Sequence, residues 1–175
     1  MENIIKQLEQ FKVDTIYGKK KHYNAAARKR SYYKLTSFSQ IILNAISGSA
    51  LLTVVFGNGN KTGEIVALVF TILATIIASA QKIGDFENQA QGNAKVADMY
   101  LNISKKINLI LNCIRDEVLS EQDIVTKVEE ICQEIFQTNE LASQFYTNKG
   151  DYLKAKQGID NGEENYTDKE LDLWN

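Results

Sequence analysis

Residues 35–60, LTSFSQIILNAISGSALLTVVFGNGN, carry no charged side chain, and they follow directly on residues 19–34, KKKHYNAAARKRSYYK, with seven Lys or Arg and no acid. A core helix of a water-soluble domain gains nothing from such a junction. A helix entering a bilayer does, because the cations stay at the headgroups while the neutral segment passes into hydrocarbon. Residues 37–56, SFSQIILNAISGSALLTVVF, are long enough at about 1.5 Å per residue to cross a hydrocarbon layer of about 30 Å. Gly57-Asn58-Gly59-Asn60 and Lys61-Thr62-Gly63 then supply turn chemistry, so 57–63 reads as a short loop. Residues 64–81, EIVALVFTILATIIASAQ, make a second span headed by Glu64. Its large aliphatic and aromatic residues together favour insertion by roughly 3–5 kcal/mol. The first span must carry Gln40 and Asn44 across as well; it is the weaker inserter and needs its partner helix.

The averages conceal this arrangement. A chain of 175 residues that is 44% apolar and 24% charged has the composition of one soluble domain. Yet no acid lies between Asp14 and Glu64, the net charge of −2 comes from an acid-rich C-terminal part, and proline is absent. Long helices are expected throughout. Seven Lys/Arg precede the first span and Lys82 and Lys95 follow the second, against Lys61 alone between them. This bias places both termini in the cytoplasm. The first residues, MENIIKQLEQFK, are amphipathic and charged, unlike a cleavable signal peptide.

The flanking segments have soluble character. Residues 1–34 read as a basic amphipathic helix with Ile4, Ile5, Leu8 and Phe11 on one face, and Gly18 marks a kink or a restart. Residues 82–157 read as a cytoplasmic helical hairpin. Its first arm carries a heptad-like stripe from Ile83 and Phe86 through Ala97, Ser104, Ile107 and Leu111 to Val118. Ser120 with Asp123 caps the second arm, which runs through Ile124, Ile131, Ile135 and Phe145 to Leu153. Residues 158–175 read as a mobile acidic tail ending in Leu171, Leu173 and Trp174. Cys113 and Cys132 match no zinc or redox spacing and are expected to be free, half-buried thiols.

A basic Tyr/His helix (Tyr17, Lys21, His22, Ala26 within TIYGKKKHYNAAARKR), two adjoining spans with a tiny loop and a long helical hairpin together resemble the SLATT family, the SMODS and SLOG-associating two-transmembrane effector domain. The resemblance covers about residues 10–157. It implies a bacterial membrane effector of anti-phage or conflict systems. Such an effector is switched on by a nucleotide second messenger or a co-encoded partner, a synthase or a reverse transcriptase, and acts by permeabilising the inner membrane.

The residues themselves offer few routes to catalysis. His22 is the single histidine, no phosphate-loop spacing occurs, and Asp116-Glu117 and Glu129-Glu130 read as solvated faces. No enzyme activity, cofactor or metal is expected. The polar residues of the first span are more informative: at about 100° per residue, Ser37, Gln40, Asn44 and Ser47 share one side. Such a stripe either faces a water-filled pathway built from several copies or holds helices together through hydrogen bonds. The second span has a small face of Ala67, Thr71, Ala74, Thr75, Ala78 and Ser79, read chiefly as packing, which Lys82 extends to the cytoplasmic boundary. Lys19, Lys20, Lys21, Arg28, Lys29, Arg30 and Lys34 surround their helix. They read first as an anchor to anionic lipid, and second as a receiver for an anionic ligand stacked by neighbouring tyrosines. Nucleic-acid binding is not expected.

Two helices enclose no interior, so any conduit is a homo-oligomer. The expected protein is an all-α membrane protein of the bacterial inner membrane that assembles and permeabilises it when triggered. Three other readings are a non-conducting scaffold displaying its hairpin to a partner, a phage-type hole-forming lysis protein, and a soluble bundle with both apolar segments as core.

Overall fold

The structure, a computed structural model, describes residues 1–57 and 61–167. Five α-helices follow one another, with no strand among the described residues: α1 Glu2–Phe56, α2 Lys61–Gly84, α3 Phe86–Arg115, α4 Glu121–Ala142 and α5 Lys149–Asp160. The centre of the expected turn, 58–60, and the tail residues Leu171, Leu173 and Trp174 lie outside the described residues. Two compact units are formed, Met1–Ala26 with Gln91–Asn175, and Ala27–Ala90.

Helix α1 is one unbroken element of 55 residues. Neither Gly18 nor the junction at 35–36 interrupts it. Without proline every interior N–H has its acceptor, and Thr36 satisfies its own hydroxyl by donating to the Tyr32 carbonyl at 2.8 Å. Gly18 serves close packing instead: the Tyr100 ring lies where a side chain would project, 2.9 Å from the position of a Cβ.

The first unit has an aliphatic core of Leu8, Ile103, Ile107, Ile110, Leu111 and Ile131. Each such burial contributes roughly 1.5–3 kcal/mol. The expected stripe holds through its middle, where Ala97, Ser104, Ile107 and Leu111 are buried, and fails at both ends, where Ile83 is 86% and Val118 71% exposed. Ser120 caps α4 as its sequence indicates, its Oγ accepting from the Asp123 N–H at 3.2 Å. The second arm is not continuous to Leu153. It stops at Ala142, and α5 opens on a reciprocal capping box in which Asn148 Oδ1 accepts from the Asp151 N–H and Asp151 Oδ2 from the Asn148 N–H, both at 2.9 Å. Phe145, in the break, rests its ring on Gly92. Helix α5 continues to Asp160, so regular structure persists past residue 158. Cys113 is half-buried and Cys132 exposed, both as free thiols.

In the second unit the solvent preference is reversed. Only 6% and 11% of the most apolar stretches of the two long segments are buried. Ile41, Leu52, Phe56, Ile65, Leu68 and Ile76 are all more than half exposed. The core of a water-soluble bundle would bury these residues. Helices whose solvent is lipid leave them outward. With lengths sufficient to cross hydrocarbon, α2 and the second half of α1 make this a membrane protein with two spanning helices. Helix α2 begins at Lys61, three residues before the expected start, and ends where Asp85 takes φ 42°. Asn88 Nδ2 donates to the Asp85 carboxylate at 2.8 Å and holds that corner.

Candidate functional site: a polar groove along the spanning helices

The stripe on α1 and the small face on α2 meet. Gln40 and Asn44 from α1, with Thr71, Ala74, Thr75, Ala78, Ser79 and Lys82 from α2, line an open groove of about 290 Å³. Short side chains on α2 create it, since they leave room beside the longer amides of α1. Lys82 stands at one end and also lines an adjoining hollow with Gln40, Tyr33 and Gln81. Lipid does not solvate amides and an ammonium, so a polar groove within apolar helices requires water or a partner surface.

The four stripe residues separate into two kinds. Ser47 is buried, its Oγ donating to the Ala67 carbonyl at 3.1 Å and lying 2.6 Å from Thr71 Oγ1. Ser37 Oγ accepts from Gln81 Nε2 at 2.9 Å. These two serines join the helices. Gln40 and Asn44 form no side-chain hydrogen bond among the described residues, and Asn44 is exposed. Of the small face, Ala67 and Ala74 are the buried members, whereas Thr75 and Ser79 turn their hydroxyls back to the carbonyls of Thr71 and Thr75, each at 2.8 Å. Gly63, at the first turn of α2, permits close approach: a Cβ there would stand 2.9 Å from Thr53 Oγ1 and 3.2 Å from Val54 Cγ2.

The described residues thus form one long helix that runs into a second spanning helix, followed by three further helices. Residues 4–170 match the family described as SMODS and SLOG-associating 2TM effector domain family 4. The chain belongs to this SLATT family. No curated protein and no solved structure matches it. SLATT membership makes the chain a two-transmembrane effector domain of conflict or defence systems, a helical membrane domain and not a member of a known enzyme family.

The basic run of this SLATT domain is divided among several tasks. Lys19 Nζ meets Glu164 Oε2 and Lys20 Nζ meets Glu163 Oε2, both at 2.5 Å, with Glu164 Oε1 also 3.3 Å from Lys20. Burial pushes the Lys20 ammonium down, but its bonds to Glu163 and Glu164 outweigh that and raise it above its ordinary value; the same bond holds the Glu163 carboxyl below its own. Lys29 is buried and donates to Gln89 Oε1 at 2.8 Å. Arg28 lies over the Tyr32 ring, 5.9 Å from its centroid. Lys21 is half-buried, and Arg30 and Lys34 are exposed.

His22 is a core residue. It is 2% exposed, with Nδ1 at 2.9 Å from the Oδ1 of Asn93, itself fully buried. The Tyr100 ring stands 5.9 Å away, its hydroxyl donating to Asn139 Oδ1 at 2.6 Å. Tyr23, one residue on, donates to Asp98 Oδ1 at 2.5 Å; burial and that carboxylate push the phenol up to about 12. Asn93, Gln81, Glu163 and Glu164 belong to these arrangements and were not indicated by sequence reasoning. Isolated amides on a helix give no periodic signal, and a pair of acids in a polar tail reads as solvated.

Proposed function

We propose that this SLATT domain is the killing or growth-arresting component of an anti-phage or conflict system in the bacterial inner membrane. It assembles into a homo-oligomer and permeabilises that membrane when a nucleotide signal or a partner protein triggers it. Both termini lie in the cytoplasm, consistent with the excess of Lys and Arg outside the 57–63 turn.

The polar groove carries this reading. Gln40, Asn44 and Lys82 line an open channel-like surface on helices that otherwise present aliphatic side chains. One pair of helices does not surround a conduit, but several copies arranged with their grooves inward do. Oligomerisation is therefore the activating event. Ser37 and Ser47 support the hairpin in either state, since their bonds lie within one chain.

The test is dye release from liposomes holding the full chain, wild type beside the Gln40→Leu/Asn44→Leu variant. Leakage from the wild type alone supports the reading. Leakage that the double variant preserves removes the groove as the pathway, and a wild type that never leaks under overexpression or trigger removes the pore. A second reading, a non-conducting scaffold, draws on the first unit, where Leu109 is 64% exposed and Phe136 71% exposed on α3 and α4. It requires a stable partner complex and intact vesicles.

A further inference from the structure

Lys19, Lys20 and Lys154 share a cavity of about 340 Å³ whose remaining wall includes Tyr23, Asn24 and Leu101, and which Glu163 and Glu164 close. We propose that this cavity is a binding site for the phosphate group of a mono- or diester, and that the chain keeps it shut with its own two carboxylates.

The cations are the fixed part of this arrangement and the anions the removable part. The side chains of Lys19 and Lys20 are each only 12% exposed and rise from the middle of α1. Their neighbours are already engaged, Tyr23 with Asp98 and Asn24 through Nδ2 with the Asp151 carbonyl at 3.1 Å, so the wall is pre-formed. Glu163 and Glu164 sit instead on a short turn past the end of α5, at Gly162 with φ +80°, and the Glu163 side chain is 62% exposed. A carboxylate offers two oxygens to ammonium donors as a phosphate does, so the pair stands in for a ligand of that charge. Withdrawing the turn leaves three ammonium groups facing one cavity. Its volume falls at the lower end of the range that holds small ligands.

Gly158 seats this turn, which straps the cavity shut. It is buried in the last turn of α5, and a Cβ there would collide with the Glu163 carboxylate. The obstruction is the tip of a flexible side chain, so Gly158→Ala displaces that carboxylate without disturbing the helix. This gives a route to the open state independent of removing its charge.

An intrachain competitor lowers apparent affinity by the fraction of molecules in which it is released. Each exposed ion pair shifts such a balance by about one- to fivefold, so three of them set an expected effect of about tenfold. The experiment titrates the full chain, in nanodiscs of uncharged lipid, with inorganic pyrophosphate by calorimetry. Glu163→Gln/Glu164→Gln is expected to bind about tenfold tighter than wild type, and Gly158→Ala, which displaces the Glu163 carboxylate and so breaks one of the three pairs, up to about fivefold tighter. Lys19→Gln/Lys20→Gln is expected to lose binding in both backgrounds. A parallel arm places the wild type in nanodiscs with and without phosphatidylglycerol and follows proteolysis across 161–167. Cleavage promoted by the anionic lipid alone identifies a headgroup as the source of the phosphate, and tightening with pyrophosphate alone identifies a soluble ester. Opened variants that bind neither pyrophosphate nor anionic lipid more tightly than wild type, while retaining its helical circular dichroism, overturn the proposal. Binding unaffected by loss of both lysines overturns it equally. All these readouts are independent of membrane leakage, so the site stands or falls apart from pore formation.

Discussion

Replacing Ser47 by Ala separates the residues that hold the spanning helices together from those that line the groove. Ser47 Oγ reaches the Ala67 carbonyl at 3.1 Å and Thr71 Oγ1 at 2.6 Å, while Thr71 keeps its own bond to the same carbonyl at 2.7 Å. Alanine therefore removes the link between helices but strands no buried group, because the threonine hydroxyl is still satisfied on its own helix. The cost falls in the range measured for hydrogen bonds between membrane helices, about 0.6–1.7 kcal/mol. That is roughly a three- to eighteenfold loss in the helix-pairing equilibrium. Ser37, ten residues away and about 15 Å along the axis, bonds Gln81 independently, so the two losses add in Ser37→Ala/Ser47→Ala to about 1–3 kcal/mol. Gln40→Leu/Asn44→Leu removes no hydrogen bond among the described residues and leaves pairing unchanged. The assay is dodecyl-sulfate-induced unfolding of the full chain in mixed micelles, followed by circular dichroism, beside dye release from vesicles. The serine variants are expected to unfold at lower detergent fraction, and the amide variant to unfold like wild type yet fail to leak. If the amide variant unfolds early and the serine variants do not, this assignment of roles is refuted.

The other expectations concern both units. Asn93→Ala leaves the buried His22 ring without its Asn93 bond and is expected to cost about 1–3 kcal/mol in unfolding experiments, with no change in membrane insertion. Ile107→Ala and Ile131→Ala, both in the aliphatic core, are each expected to cost about 2–5 kcal/mol and to lower the thermal midpoint of the first unit. Gly63→Ala already places a Cβ 2.9 Å from Thr53 Oγ1 and 3.2 Å from Val54 Cγ2 and is expected to loosen the hairpin in the detergent assay, with Gly63→Leu loosening it further. The strap is expected to respond to pH at both extremes. Glu163 has a carboxyl held below 4.5, so its contribution is full above that value and is lost as pH falls through the lowered one; Lys20 is raised above 10.5, so its contribution is full below that value and is lost as pH rises through the raised one. Lys19, Lys154 and Tyr23 face the same cavity, and the Tyr23 phenol, pushed up to about 12, keeps its proton across the window between. A fluorescent label on Asn165→Cys is expected to report a closed strap from about pH 4.5 to about pH 10.5, and release near neutrality would contradict it.

How much of this was readable beforehand depends on the range of the force involved. The two spans were legible because hydrophobicity and charge accumulate over twenty residues and need no knowledge of a partner. The cap at Ser120 was legible because a side chain and an N–H three residues apart are already neighbours. The groove was half legible: the helical repeat placed Gln40 beside Asn44 and Thr71 beside Ala78, but the register between α1 and α2, which brings the two faces together while sending Ser47 to Thr71, is a tertiary contact that neither helix encodes alone. The break after Ala142 was missed because Asn148 and Asp151 resemble ordinary surface residues until the chain turns there. The seating of Glu163 and Glu164 on Lys20 and Lys19 spans more than 140 positions, and no local pattern encodes such a pairing.

Helix α1 shows the underlying logic, because one continuous element meets two solvents. In its first half the residues removed from solvent include Leu8, Ala25 and Ala26, with polar Thr15 and His22 admitted only where hydrogen bonds receive them. Water drives that choice, since each buried aliphatic group is a gain and each unpaired polar group a loss. In the second half the large apolar side chains of Ile41, Leu52 and Phe56 lie outside and Ser47 lies within. Lipid drives that choice, because hydrocarbon solvates leucine as well as a protein interior does and leaves only polar bonds and close backbone approach to favour association. A heptad reading therefore succeeds along the middle of α3 and has no purchase on residues 37–56, where the informative positions are the few that hydrocarbon does not solvate. Ser37 and Ser47 have found partners within the chain. Gln40 and Asn44 have none among the described residues, and in a medium that offers no hydrogen bonds the physical resolution is water or a second copy, which is why the proposed pathway rests on these two amides.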